Sequence, residues 1–123
     1  MLGTRMVFYR EEDGTVPFLT WFDALTNKAQ DKCRVRLERR RELGHELRRP
    51  EADYLRDGIY ELRVGLQGMQ YRMLYFFHGN VAAVMSHGLV KEQKVPPKDI
   101  DLAARRKQRF AHAPQRHTYE EVS

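Results

Sequence analysis

Residues 59–66, 70–77 and 80–87 are three strand-length runs, rich in β-branched and aromatic residues and parted by only a few residues each. Such short connections leave room for hairpins and none for a crossover, so the three runs must form one antiparallel sheet. Turn chemistry agrees. Asp57-Gly58 precedes the first run, Gly65 and Gly68 bracket the first connection, and His78-Gly79-Asn80 makes the second a tight hairpin. Period-two alternation puts Tyr60, Leu62 and Val64 on one face and Glu61 and Arg63 on the other. In the next run Tyr71, Met73 and Tyr75 oppose Arg72, Leu74 and Phe76. One face is therefore expected to carry the helices, and the other to mix cations with exposed apolar groups.

Helical signals surround this block. A short first strand at residues 6–9 ends in the polar run Glu11-Glu12-Asp13-Gly14. Pro17 suits a first helical position, and Phe18, Trp21, Phe22 and Leu25 follow at the spacing of one helix face. A second helix is expected from residue 27 or 28 to about 43, with Ala29, Cys33 and Leu37 inward and Gly44 past its end. Its other face carries Lys32, Arg34, Arg36, Arg39, Arg40 and Arg41, a face that either is solvated or contacts nucleic acid. Arg48-Arg49-Pro50 through Asp53 reads as a loop, with Tyr54 and Leu55 approaching the core. After Val95-Pro96-Pro97 a last helix at about residues 98–110 turns Ile100, Ala103 and Ala104 inward and Arg105, Arg106, Lys107 and Arg109 outward. The expectation is an α+β fold: a mostly antiparallel sheet of about four strands with helices packed on one face. A single domain spans residues 1–110, and residues 111–123 form a tail.

Chemistry can be narrowed by elimination. The five histidines show no ligand spacing and the one cysteine is not near them in sequence, so no metal and no cofactor are expected. Cys33 reads as a small buried hydrophobe, and neither it nor Ser86 has the context of a nucleophile. No Gly-rich phosphate loop precedes a helix. The start of the chain lacks the apolar core of a signal peptide and no run approaches a membrane span, which points to the cytoplasm and away from membranes. A net charge of +5 favours an anionic partner. Arg63, Arg72, Lys91 and Lys94 then stand out, since cations on adjacent strands repel unless an anion comes between them. A phosphate of a nucleic-acid backbone is such an anion.

Three segments carry a family resemblance: residues 55–63 (Leu-Arg-Asp-Gly-Ile-Tyr-Glu-Leu-Arg), residues 70–76 (Gln-Tyr-Arg-Met-Leu-Tyr-Phe), and residues 87–96 (His-Gly-Leu-Val-Lys-Glu-Gln-Lys-Val-Pro). Together they resemble the RelE/HigB superfamily of type II toxin–antitoxin toxins, in its phage-derived branch, over roughly residues 5–110. The resemblance implies a RelE-like, microbial-RNase-type fold and a metal-independent, ribosome-dependent mRNA endonuclease that inhibits translation. It also implies a cognate antitoxin, a small helix-turn-helix protein, through which alone operator DNA would be met. Carried over position by position, the catalytic set is Arg63, Arg72, Lys91 and Lys94. Glu61 stands where some relatives have a basic residue, and the C-terminal tyrosine or histidine of others could only be His112, His117 or Tyr119.

In RNA cleavage the 2′-hydroxyl attacks the adjacent phosphate and the 5′-oxygen leaves. Arg63 and Arg72 would clamp the phosphate, while Lys94, Lys91, His87 and Glu61 all remain open as proton acceptor. The basic faces formed by Arg34, Arg36, Arg39, Arg40 and Arg41, and by Arg105, Arg106 and Arg109, would dock ribosomal RNA. Leu74 and Phe76 would meet an acidic, amphipathic antitoxin segment. The alternative is a catalytically inactive, phage-derived nucleic-acid-binding or regulatory module in which Glu61 marks lost catalysis.

Overall fold

The structure is a computed structural model that describes residues 5–43, 52–79, 82–91 and 93–120. It is an α+β fold in which one six-stranded, mostly antiparallel sheet lies between helices. The strands are β1 (Arg5–Tyr9), β2 (Ala52–Arg56), β3 (Ile59–Leu66), β4 (Met69–His78), β5 (Ala82–Val90) and β6 (Thr118–Tyr119), and the helices are α1 (Pro17–Asp23), α2 (Asn27–Leu43) and α3 (Pro97–His112). Across the sheet the order is β2-β3-β4-β5-β1-β6, with only the β1–β5 pair parallel.

The hairpin turns follow from their residues. Asp57 and Gly58 both have positive φ (55° and 79°), as do Gln67 and Gly68 (54° and 82°). Two consecutive left-handed residues give the turn whose twist matches that of the flanking strands. The tip of the β4–β5 connection, at Asn80, lies outside the described residues, as do Gly44, Arg48, Arg49 and Pro50.

Two apolar layers hold the sheet. Phe8, Leu62, Val64, Met73, Tyr75 and Met85 face Phe18, Phe22 and Cys33 of α1 and α2. Val7, Tyr9, Ile59, Leu74, Phe76 and Val84 face Ile100, Ala103 and Phe110 of α3. Helices thus cover both faces, which corrects the expectation of helices on one. Leu74 and Phe76 are 0% and 1% exposed, with the Phe76 and Phe110 rings 6.0 Å apart. They are core residues and offer nothing to an antitoxin. Alternation in the strands separated the two faces correctly; it carried no information about α3 lying over the second one.

Two further expectations change. The loop expected through Asp53 ends earlier, since Ala52–Arg56, with Tyr54 and Leu55 in it, is an edge strand paired with β3. The segment expected as a tail contains a 3-10 turn at Pro114–Arg116 and then β6, which pairs with β1. There His117 is 3% exposed, stacks on Tyr9 at 5.0 Å and shares a 2.7 Å hydrogen bond between its Nδ1 and the Arg10 carbonyl. Helix α1 docks through an absence: a Cβ at Gly88 would overlap the Trp21 ring. No helix among the described residues is long and apolar enough to cross a membrane.

Candidate functional site

Register brings two arginines face to face. Arg63 on β3 and Arg72 on β4 are direct Cα partners, with both side chains on the α3 side of the sheet. Like charges directly opposite one another destabilise a strand pair. The charge is offset by Glu61, two residues before Arg63 and hence on the same face. Arg72 Nη1 donates to Glu61 Oε1 at 2.8 Å, and Arg63 Nη1 donates to Oε2 at 3.2 Å. Asp53 on β2 adds a weaker contact, 3.5 Å from Arg63 Nη1. Two further contacts tie the arginines to the scaffold: Arg72 Nε donates to the Lys91 carbonyl at 3.4 Å, and Arg36 donates to the Arg63 carbonyl.

These groups line an open cleft of about 900 Å³ between the β2–β4 end of the sheet and the segment leading into α3. Its walls are Asp53, Tyr54, Leu55, Arg56, Val95 and Ile100, with Glu61, Arg63, Arg72 and Lys94. Four cations against two carboxylates leave it net positive by two charges. Arg56 is already bound to Asp57 at 2.6 Å and Asp101 at 2.9 Å. The side chains grade in exposure: 20% for Arg63, 10% for Arg72 and 6% for Glu61. Glu61 is the floor, and the guanidinium groups stand above it.

The other expected site residues separate. Lys94 is exposed and lines the cleft, whereas Lys91 is exposed and does not. His87 does not line it either. It is 8% exposed and belongs to a second polar cluster beneath α3. The β4–β5 ladder slips there: Leu74 pairs with His87 and Tyr75 with Met85, so Ser86 is the extra residue of a bulge. That bulge brings the neighbouring Ser86 and His87 side chains together, Oγ to Nδ1 at 2.8 Å. His87 Nε2 lies 3.2 Å from Asp99 Oδ1. Arg106 Nη1 donates to Ser86 Oγ at 3.3 Å, and its Nη2 donates to Glu11 Oε2 at 3.1 Å.

This serine, histidine and aspartate have the composition of a hydrolytic triad without its access, since Ser86 is 0% exposed. Burial first, then the neighbouring Arg106 charge, hold the His87 pKa below the usual histidine range, against the opposing pull of Asp99. His87 is buried and does not line the cleft, so it is out of reach of a substrate bound there. Nor do His112, His117 or Tyr119 line that cleft.

The basic helix faces also divide. Arg34, Arg39, Arg41, Arg105 and Arg109 are exposed, and Arg36 is half-buried against β3. Arg40 is 1% exposed, with its guanidinium 5.0 Å and 4.6 Å from the Tyr75 and Phe77 ring centroids. Arg106 is 7% exposed. Arg40 is thereby withdrawn from RNA, whereas Arg106 lines a pocket of about 730 Å³ with Glu11 and Trp21. The helical period accounts for Arg40, which lies seven residues beyond Cys33 and so shares its inward face. Cys33 is fully buried, and burial pushes its thiol up to about 11, so it is inert.

Reading the sequence alone missed the β2 wall, Asp53 to Arg56. A signal was present. An Asp-Gly hairpin turn needs a strand on both sides, and Asp57-Gly58 therefore implied one immediately before it.

A model of the phage-derived Gp49-like protein family (DUF891) matches residues 20–108. The match runs from within α1 through most of α3, including every charged residue of the cleft, and the chain belongs to this family. The family is associated with toxins of toxin–antitoxin systems. No curated protein matches the chain.

Proposed function

For this member of the phage-derived Gp49-like family, we propose the role of toxin in a type II toxin–antitoxin system, acting in the cytoplasm as a ribosome-dependent mRNA endonuclease of RelE/HigB type. The observation that carries this reading is the facing pair Arg63 and Arg72, held over a carboxylate at the floor of an open, net-positive cleft. Such an arrangement suits a tetrahedral anion with charge developing on its oxygens. The exposed Tyr54 among its lining residues offers a face for a base to stack on.

In the proposed reaction the 2′-oxygen forms a bond to phosphorus, the bond from phosphorus to the 5′-oxygen breaks, and a cyclic phosphate and a 5′-hydroxyl result. Arg63 and Arg72 hold the non-bridging oxygens as the charge grows. The 2′-hydroxyl gives up one proton and the 5′-oxygen takes one up; Lys94, which lines the cleft, exchanges one of the two and water the other. Orientation of the 2′-oxygen in line with the leaving group is left to the ribosome, whose contribution is positional. The exposed Arg34, Arg39, Arg41, Arg105 and Arg109 supply salt-sensitive contacts to ribosomal RNA. An antitoxin partner then has to block this cleft or the ribosome-facing surface.

The test is induction of the chain alone in a bacterial host, with mRNA 5′ ends mapped on and off ribosomes. Growth arrest with cuts confined to translated mRNA is expected. A folded protein that neither arrests growth nor cuts would replace this reading with that of an inactive binding module.

A further inference from the structure

Glu61 has no obvious place in a phosphate-binding site, because a buried carboxylate repels the substrate the arginines are meant to attract. Its geometry gives it one. The two carboxylate oxygens divide between the two guanidinium groups, Oε1 to Arg72 at 2.8 Å and Oε2 to Arg63 at 3.2 Å. Two oxygens spread between two facing arginines is also how two non-bridging oxygens of a phosphodiester would bind. The backbone of Glu61 is fixed, paired on both sides with Asp53 of β2 and Leu74 of β4. It is 4% exposed, beneath guanidinium groups that reach towards the cleft.

We propose that the Glu61 carboxylate is a built-in stand-in for the substrate phosphate: a positioning residue that keeps Arg63 and Arg72 apart and aimed, and that competes with RNA for them. This rests on the reading of the cleft as the phosphate site. An arriving phosphate draws the guanidinium groups up and off the carboxylate, which stays at the floor. Resting affinity for RNA is thereby kept low. Only RNA already held in place by other contacts, such as a message on a ribosome, can take the arginines over. The carboxylate thereby sets a threshold that free RNA has to exceed by its other contacts.

The experiment measures binding of a fluorescent single-stranded RNA oligomer, at low salt, to the wild-type protein, Glu61→Gln, Arg72→Ala and the double variant, with thermal melts of each. Removing one negative charge a few ångströms from the bound phosphate is expected to tighten binding about tenfold in Glu61→Gln. The gain should vanish when Arg72→Ala is added, which ties it to the arginine pair and separates it from a general rise in positive charge. Unchanged or weaker binding by a cooperatively melting Glu61→Gln protein overturns the proposal, as does a gain that survives Arg72→Ala. Should Glu61→Gln fail to fold, Glu61→Asp replaces it. Its carboxylate is one methylene short of spanning both guanidinium groups, so a gain of about threefold is expected, and no gain is again fatal. Inorganic phosphate gives an independent readout, raising the melting temperature of Glu61→Gln more than that of wild type. None of these readouts depends on cleavage. If wild type cuts no message while Glu61→Gln still gains affinity, the nuclease reading fails and the stand-in survives.

Discussion

Two clusters of the same chemistry lie side by side on one face of the sheet. Glu61, Arg63 and Arg72 form one, and Glu11, His87, Asp99 and Arg106 form the other with Ser86. Leu74 stands between them, opposite Glu61 on β3 and opposite His87 on β5. Each cluster pairs arginine with carboxylate at about the same distances, 2.8–3.2 Å in the first and 3.1 Å in the second. They differ in their surroundings. In the second cluster Ser86 and His87 are buried while Glu11 and Arg106 line a separate pocket of about 730 Å³; in the first, all three residues line the cleft where the chain runs towards α3. The same arginine–carboxylate pairing is therefore read as a phosphate site in one place and as scaffolding in the other. The first sets two facing arginines on one carboxylate, and the second ties one arginine to buried Ser86 and His87.

That contrast can be broken at several points, of which the first has the largest expected effect. Arg72→Ala should cost mRNA cleavage roughly 100- to 1,000-fold, about 3–4 kcal/mol of transition-state stabilisation, with the cooperative melt retained. Cleavage at wild-type rate by a folded variant would end the assignment of the open cluster. Leu74→Ala should remove about 3 kcal/mol of stability in denaturant titration, because it opens a cavity in the α3 layer. A neutral result would mean that Leu74 is surface after all. Arg106→Met should cost about 2–3 kcal/mol of stability, chiefly from unpairing Ser86, His87 and Glu11. If the closed cluster is scaffolding, the folded fraction of this variant should cleave normally. Gly88→Ala should cost about 1–2 kcal/mol by forcing Trp21 from its seat, again with cleavage per folded molecule unchanged.

The smallest effect sharpens the comparison through pH. The folded-state pKa of His87 is depressed by burial and by Arg106. As pH falls through about 6.5, the unfolded chain therefore takes up a proton that the folded protein resists. The stability contributed by neutral His87 is complete above that pH and declines as pH drops towards the folded value. Urea titrations at pH 7.5, 6.5 and 5.5 should show a decline in wild type that is shallower in His87→Gln. Parallel slopes would mean that His87 is as accessible as the residues of the open cleft.

Much of this was legible in order of residues. The facing of Arg63 and Arg72 follows from two strands, a short turn and period-two alternation, and the same logic puts Glu61 beside them. The segment from His87 to Lys94 was less transparent because it is composite. Its histidine is pinned beneath α3, its glycine receives Trp21, and of its two lysines only Lys94 reaches the cleft. A linear motif cannot separate such roles, since each is set by a different distant element.

The sequence by itself determined β1, β3, β4 and β5, the short turns that join the last three, the α1 and α2 pattern, and which side chains share a face. Those are local properties, governed by backbone sterics and by the period of side-chain direction. Only the tertiary structure decided what covers each face. It buried Leu74 and Phe76 beneath α3, withdrew Arg40 from the surface, and set Glu61, Arg63 and Arg72 along the wall of one cleft. Periodicity specifies the direction in which a side chain points. Whether it meets water or another layer depends on the docking of elements far away in the chain, and here that docking is what separates a site from a strut.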